Sequence, residues 1–124
     1  MNHERALLLA EALESDRYEQ GYGSLENHRE GVSRLCCLGV ACRVAQAGGV
    51  EMTEEVDSSN DVVFDGHDTD LPAKVQDWFG FRSNDGTLSG SEVDGYDSLM
   101  TINDSGRYDF RAIAGIIRDN WEVL

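Results

Sequence analysis

Residues 33–49 read Ser33-Arg34-Leu35-Cys36-Cys37-Leu38-Gly39-Val40-Ala41-Cys42-Arg43-Val44-Ala45-Gln46-Ala47-Gly48-Gly49, and the rest of the architecture is expected to build on this stretch. Between Leu35 and Ala47 only Arg43 and Gln46 break an apolar run, and a helix that is apolar on every side is buried among other elements. Ser33 is placed to cap such a helix and Gly48-Gly49 to stop it, so the pattern predicts a central helix from about Arg34 to Ala47.

Elements expected to surround it follow on both sides. Upstream, Ala6, Leu9, Ala10 and Leu13 recur at helical spacing over residues 4–15, with Glu11 and Glu14 off the stripe. Gly21 and Gly23 among tyrosines predict a turn or short extended segment, and Asn27 to Gly31 reads as a polar surface loop. Downstream, Val50 to Phe64 is short, β-like and split by the turn-rich Asp57–Asp61, which predicts a hairpin. Pro72 suits the first turn of another helix, carrying Leu71, Val75, Trp78 and Phe79 on one face and ending at Gly80. Ser83 to Gly95 reads as loop, and Ser98 to Gly106 as a short turn of helix or strand. Asp109 caps a last helix with the stripe Phe110, Ile113, Ala114, Ile117 and Trp121.

The expected fold is therefore α+β: a small single domain over residues 1–124, with three to four helices around a central buried helix and a short antiparallel β-hairpin. Leu38, Val40, Val44, Val75, Trp78, Phe110, Ile113 and Ile117 are its expected core. A chain of 124 residues with 40% hydrophobic residues suffices for one core without staples.

Charge narrows the function. Asp and Glu number 24 against 10 Lys and Arg, a formal net charge of −14, and Lys74 is the only lysine. Such a surface repels nucleic-acid phosphates and anionic membranes, and it suits a basic protein partner or solubility. No apolar run approaches the ~20 residues that span a bilayer, and the first residues lack the marks of a secretory signal, so the expected location is cytoplasmic.

Catalytic constellations are not found. Cys36, Cys37 and Cys42 are too closely spaced for a zinc set and point different ways from one helix, while His3, His28 and His67 are scattered. Buried cysteines packing as small hydrophobes are the expectation. There is no Gly-x-Ser-x-Gly elbow and no phosphate-binding glycine loop. Asp65, Asp68 and Asp70 around Gly66 do not meet an EF-hand register and read as a solvated acidic loop. No catalytic residue, metal or cofactor is expected. Tyr18, Gln20, Tyr22, Asn103 and Asp104 remain as candidate ligand-binding residues, because small-ligand pockets pair aromatic walls with a few directed polar groups. An anionic ligand would need Arg17, Arg34 or Arg107 at the site to offset the net charge.

Four blocks carry a resemblance across nearly the whole chain. They are Tyr18-Glu19-Gln20-Gly21-Tyr22-Gly23-Ser24-Leu25; Leu35-Cys36-Cys37-Leu38-Gly39-Val40-Ala41-Cys42; Leu71-Pro72-Ala73-Lys74-Val75-Gln76-Asp77-Trp78; and Asn103-Asp104-Ser105-Gly106 with Phe110-Arg111-Ala112-Ile113-Ala114. Together they resemble an uncharacterised family of small proteins encoded by bacteriophages and prophages, with the pattern Tyr-x-Gln-x-x-Gly-x-Leu followed by Cys-Cys-Leu-Gly-Val-x-Cys. The chain departs from that pattern at Leu9, where the family carries a tryptophan nearby, and at Asp16, where it carries glycine. The resemblance implies a setting in a host cytoplasm and no particular chemistry. By association with other small phage proteins, it points to an accessory protein that binds a host protein, a defence or DNA-binding factor among the candidates, without catalysis. The alternative is a protein that binds or sequesters a small nucleotide-like ligand.

Overall fold

The chain, described over residues 1–124 by a computed structural model, runs α1 (His3–Glu14), β1 (Glu19–Gln20), β2 (Glu26–Arg29), β3 (Val32–Leu35), α2 (Cys37–Ala47), β4 (Glu54–Val56), β5 (Val62–Phe64), α3 (Ala73–Phe79), α4 (Leu99–Asp104) and α5 (Phe110–Asn120). A 3-10 turn at Trp121–Val123 closes it. The fold is α+β, with five helices, a three-stranded sheet ordered β1-β3-β2 and a two-stranded sheet β4-β5. One cluster of 27 buried apolar residues forms the core. No helix is long and apolar enough to cross a membrane.

Helix α2 is the central element, every residue from Cys37 to Cys42 being buried. It begins later than its sequence pattern predicts. Ser33 does not cap it, because Val32–Leu35 form the middle strand of the first sheet, antiparallel to β2 and parallel to β1. Ladder hydrogen bonds on both sides of β3 hold those residues extended, and the cap passes to Cys36, whose Sγ accepts from Gly39 N at 3.4 Å. A thiol is a weak acceptor, so the position of the helix start rests mainly on contact with its neighbour. Cys36 N donates to Leu25 O at 3.2 Å, and a Cβ on Gly39 would lie 1.7 Å from that same oxygen. Glycine is required there by close approach of two backbones.

The expected surface loop over Asn27–Gly31 is instead half of a hairpin. β2 pairs with β3 in the register Glu26↔Leu35 to Arg29↔Val32, which leaves Glu30 and Gly31 as a two-residue turn. Their φ values of 55° and 73° are both left-handed, as such a turn needs to match the twist of its strands. Glutamate tolerates this region poorly and asparagine well. Glu30→Asn is therefore expected to stabilise the protein by about 0.5–1 kcal/mol, read as a rise in the urea midpoint with an unchanged slope.

The remaining elements match their sequence patterns closely. β4 and β5 pair antiparallel as the predicted hairpin. Pro72 precedes α3, and Gly80 ends it in a left-handed conformation at φ 73°. Asp109 caps α5 by accepting from Ala112 N, and Ser98 caps α4 by accepting from Thr101 N. α1 buries Ala6, Leu9, Ala10 and Leu13 and packs chiefly on α5, which buries Phe110, Ile113, Ala114 and Ile117. Ion pairs Arg111–Asp16 at 3.0 Å and Arg118–Glu14 at 2.5 Å flank that packing, and Trp121 stacks on His3. Of the expected core, Val44 and Trp78 are only half-buried. Arg5 lies over the Trp78 ring at 4.3 Å and covers the face that the core does not.

Candidate functional site

The five residues expected to bind a ligand take different places. Asn103 is 0% exposed, and its amide is fully engaged. Oδ1 accepts from Cys37 N at 3.1 Å and from Gln20 Nε2 at 3.0 Å, while Nδ2 donates to Gly21 O at 3.0 Å and to Asp104 Oδ1 at 3.1 Å. Gln20 Nε2 also donates to Tyr108 O, and Asp104 Oδ1 accepts from Gly23 N. One buried side chain thus ties β1, the first turn of α2 and α4 together. Gln20 and Asp104 complete that tie and hold the 21–23 loop against α4. A buried amide with every group matched fixes geometry and leaves nothing of itself for a ligand.

The two tyrosines lie outside this knot. Tyr22 is 55% exposed and stands between two clefts of about 330 and 400 Å³, both of which Gln20 also borders. Tyr18 is half-buried and borders the largest cleft, about 460 Å³ between α1, α2 and α3, with Leu8, Arg17, Val44 and Trp78. Tyr18 and Gln20 share a smaller cleft of about 190 Å³. Of the arginines able to offset the net charge, Arg34 borders one of Tyr22's clefts, Arg107 the other, and Arg17 the largest cleft.

All three cysteines are free and buried. Burial pushes the Cys36 thiol up to about 12, and it raises Cys37 and Cys42 as well, so no thiolate forms near neutral pH. Two histidines are held by carboxylates: His28 Nε2 to Glu26 Oε2 at 2.6 Å, and His67 Nδ1 to Asp70 Oδ1 at 2.7 Å. Neither has a hydroxyl or thiol on its other nitrogen, which a nucleophile–base pair would require.

A buried charge that sequence reasoning did not single out sits beside the first sheet. Glu26, 4% exposed, receives Arg43 in two parallel hydrogen bonds, Nε to Oε1 and Nη2 to Oε2, each 2.8 Å. Burial alone would raise its carboxyl. Hydrogen bonds from Arg43 and His28, with their charge, outweigh that and hold it below the usual carboxylate range. Arg43 also reaches Glu54 Oε1 at 2.7 Å, which anchors β4 to α2.

The acidic residues gather on the second sheet. From Glu51 to Asp70 the chain has eight carboxylates (Glu51, Glu54, Glu55, Asp57, Asp61, Asp65, Asp68, Asp70) and neither Lys nor Arg. β4 is exposed at all three positions and pairs on one side only. Oxygens of Asp57, Asp61 and Asp68 lie within 4.8 Å of one another, a grouping different from the Asp65, Asp68 and Asp70 set around Gly66. Asp57 Oδ1 accepts from Ser59 N and Asp61 N, so this carboxylate shapes the β4–β5 turn.

Compared with known proteins, residues 1–121 match a family model described as Domain of unknown function (DUF8296). No curated protein and no solved structure matches the chain.

Proposed function

We propose that this chain, which belongs to the DUF8296 family, acts by binding a basic protein surface and not by catalysis. The observation that carries the reading is the β4–β5 hairpin. It and its flanks, residues 51–70, carry eight carboxylates without a Lys or Arg among them, and Val56, on β4, is an apolar side chain left 55% exposed between Glu55 and Asp57 in the chain. Lys74 and Arg43 reach in from outside to Asp65 and Glu54, while Glu51, Glu55, Asp57 and Asp68 meet no cation. An apolar anchor on a segment of one sign of charge gives a partner both desolvated contact and steering. The free edge of β4 offers main-chain groups to a partner strand as well. Inert thiols and histidines without a nucleophile agree with binding as the activity.

The resemblance to phage-encoded proteins supplies a setting: the cytoplasm of a bacterial host, with a defence or DNA-binding factor whose surface is basic as the target. A photo-crosslinking residue at position 56 tests this in host extract, against the same residue at position 8, on the exposed Leu8 of α1. One discrete adduct at position 56, absent at position 8 and lost in Glu51→Lys/Glu55→Lys, is the expected result. It is also expected to disappear in about 1 M salt, where screening acts within ~3 Å. Equal labelling from both positions, or an adduct indifferent to charge reversal, refutes the reading.

A further inference from the structure

On a chain with 24 acidic residues, the cleft of about 330 Å³ beside Tyr22 is an inversion of charge: seven residues line it, none acidic and two of them arginines. Its volume falls at the lower end of small-molecule sites, about 300–1,000 Å³. Arg29 closes the exposed end of β2, where it pairs with Val32 and its backbone N donates to Asn27 Oδ1, while its side chain makes no hydrogen bond. Its guanidinium has no carboxylate, in contrast to Arg43, Arg111 and Arg118. Arg34, on the middle strand β3, has a single long contact, Nε to Glu19 Oε1 at 3.4 Å, between two exposed side chains. The Ser24 hydroxyl in the same wall has no partner in the protein. The rim is the exposed ring of Tyr22, and Arg107 stands beyond it in the adjoining cleft.

The backbone here is rigid. Asn103 clamps Gly21, Asp104 clamps Gly23, and a Cβ on Gly21 would meet Arg34 Cβ at 2.8 Å, so the loop rests directly on the arginine-bearing strand. Two guanidinium forks and a hydroxyl suit the oxygens of a phosphate, and a tyrosine face suits a planar ring. We propose that this cleft binds a mononucleotide-class ligand, its phosphate on Arg29 and Arg34 and its base against Tyr22. The site abuts the acidic hairpin, since Asn27 in its wall donates to Asp61 Oδ1 at 2.7 Å and to Ser59 O at 3.3 Å, but it makes no use of the exposed β4 edge. Glu19 is the one carboxylate that competes for Arg34, and it sets a ceiling on affinity.

Amide NMR titrations of the full chain with AMP, adenosine and inorganic phosphate test the proposal. AMP is expected to shift the amides of residues 21–29 and 34, and to bind about tenfold or more tightly than either adenosine or phosphate alone. Arg29→Gln/Arg34→Gln is expected to weaken AMP by about tenfold or more, and Glu19→Gln to strengthen it a few-fold, since it frees Arg34. Should the double variant lose its native amide pattern, Arg29→Gln alone, at the exposed end of its strand, carries the comparison. No shifts with AMP at several millimolar, equal affinity for phosphate and AMP, or affinity unchanged by removal of the arginines would each overturn it.

Discussion

Replacing Gly39 with alanine is expected to remove the cooperative unfolding transition at physiological temperature. Helix propensity points the other way, since alanine within a helix is favoured over glycine by about 1 kcal/mol. The clash decides the sign. The new methyl would lie 1.7 Å from Leu25 O and 2.6 Å from Leu25 C, backbone atoms that cannot rotate away. Relief requires α2 to part from the β2 approach, which breaks Cys36 N to Leu25 O and uncovers wholly buried Leu25. A cost of about 4 kcal/mol or more follows, beyond ordinary overpacking. The control is Gly115, in the middle of α5, where a Cβ meets nothing within 4 Å. Gly115→Ala is expected to raise stability by roughly 0.5–1 kcal/mol. Thermal melts of the two variants, one lost and one raised, separate close approach from helix propensity; similar melts for both would refute the contact.

Arg43→Met has the second largest expected effect. It leaves the Glu26 carboxylate with His28 alone, and breaking a buried pair costs about 3–5 kcal/mol; with Arg43 partly open to solvent and His28 retained the lower end applies, about 3 kcal/mol. For a domain of this size that lowers the melting temperature by about 10 °C. The pH dependence gives a sharper check. In the native chain the Glu26 carboxyl is held below its ordinary value, so its contribution is fully present above the unfolded-state value and is lost as pH falls through the lower folded value. In Arg43→Met burial dominates, the carboxyl moves upward and protonation relieves it. The difference in stability between the two proteins is thus expected to be greatest near neutrality and to shrink as pH falls through the lowered folded value of the native carboxyl, below which both are protonated. A gap constant with pH would assign the cost to lost packing of the arginine stem.

The sequence showed what depends on local order. α1, α3 and α5 carry their apolar stripes and caps within a dozen residues each, and the β4–β5 hairpin is announced by its turn. The first sheet was hidden because β2 reads Glu26-Asn27-His28-Arg29, with one buried residue, and because Glu30-Gly31 is an unusual pair for a two-residue turn. Ser33 looked like a helix cap because β2, joined to its strand by the turn, is polar and gives no strand signal, while β1 pairs from about 15 residues upstream. The clamp at Asn103 joins residues 66 and 83 positions away along the chain, and Arg43 meets Glu26 from 17 residues away. Tyr22 and Gln20 could be chosen by residue type, but the clefts they border depend on how the 21–23 loop folds back over β3. Arg29 had no local signal at all: its interest comes from lacking a carboxylate among so many.

The pairing of α1 with α5 also shapes how the protein is made. The partner of the first helix is the last one, about 100 residues later on the ribosome. At the usual pace of ~5–20 residues per second, the apolar stripe of α1 waits roughly 5–20 s before its partner exists. Ile113 and Ile117 become available only as α5 leaves the exit tunnel. Packing of α1 consequently waits on α5, and until then the nascent protein carries a sticky first helix for chaperones to hold.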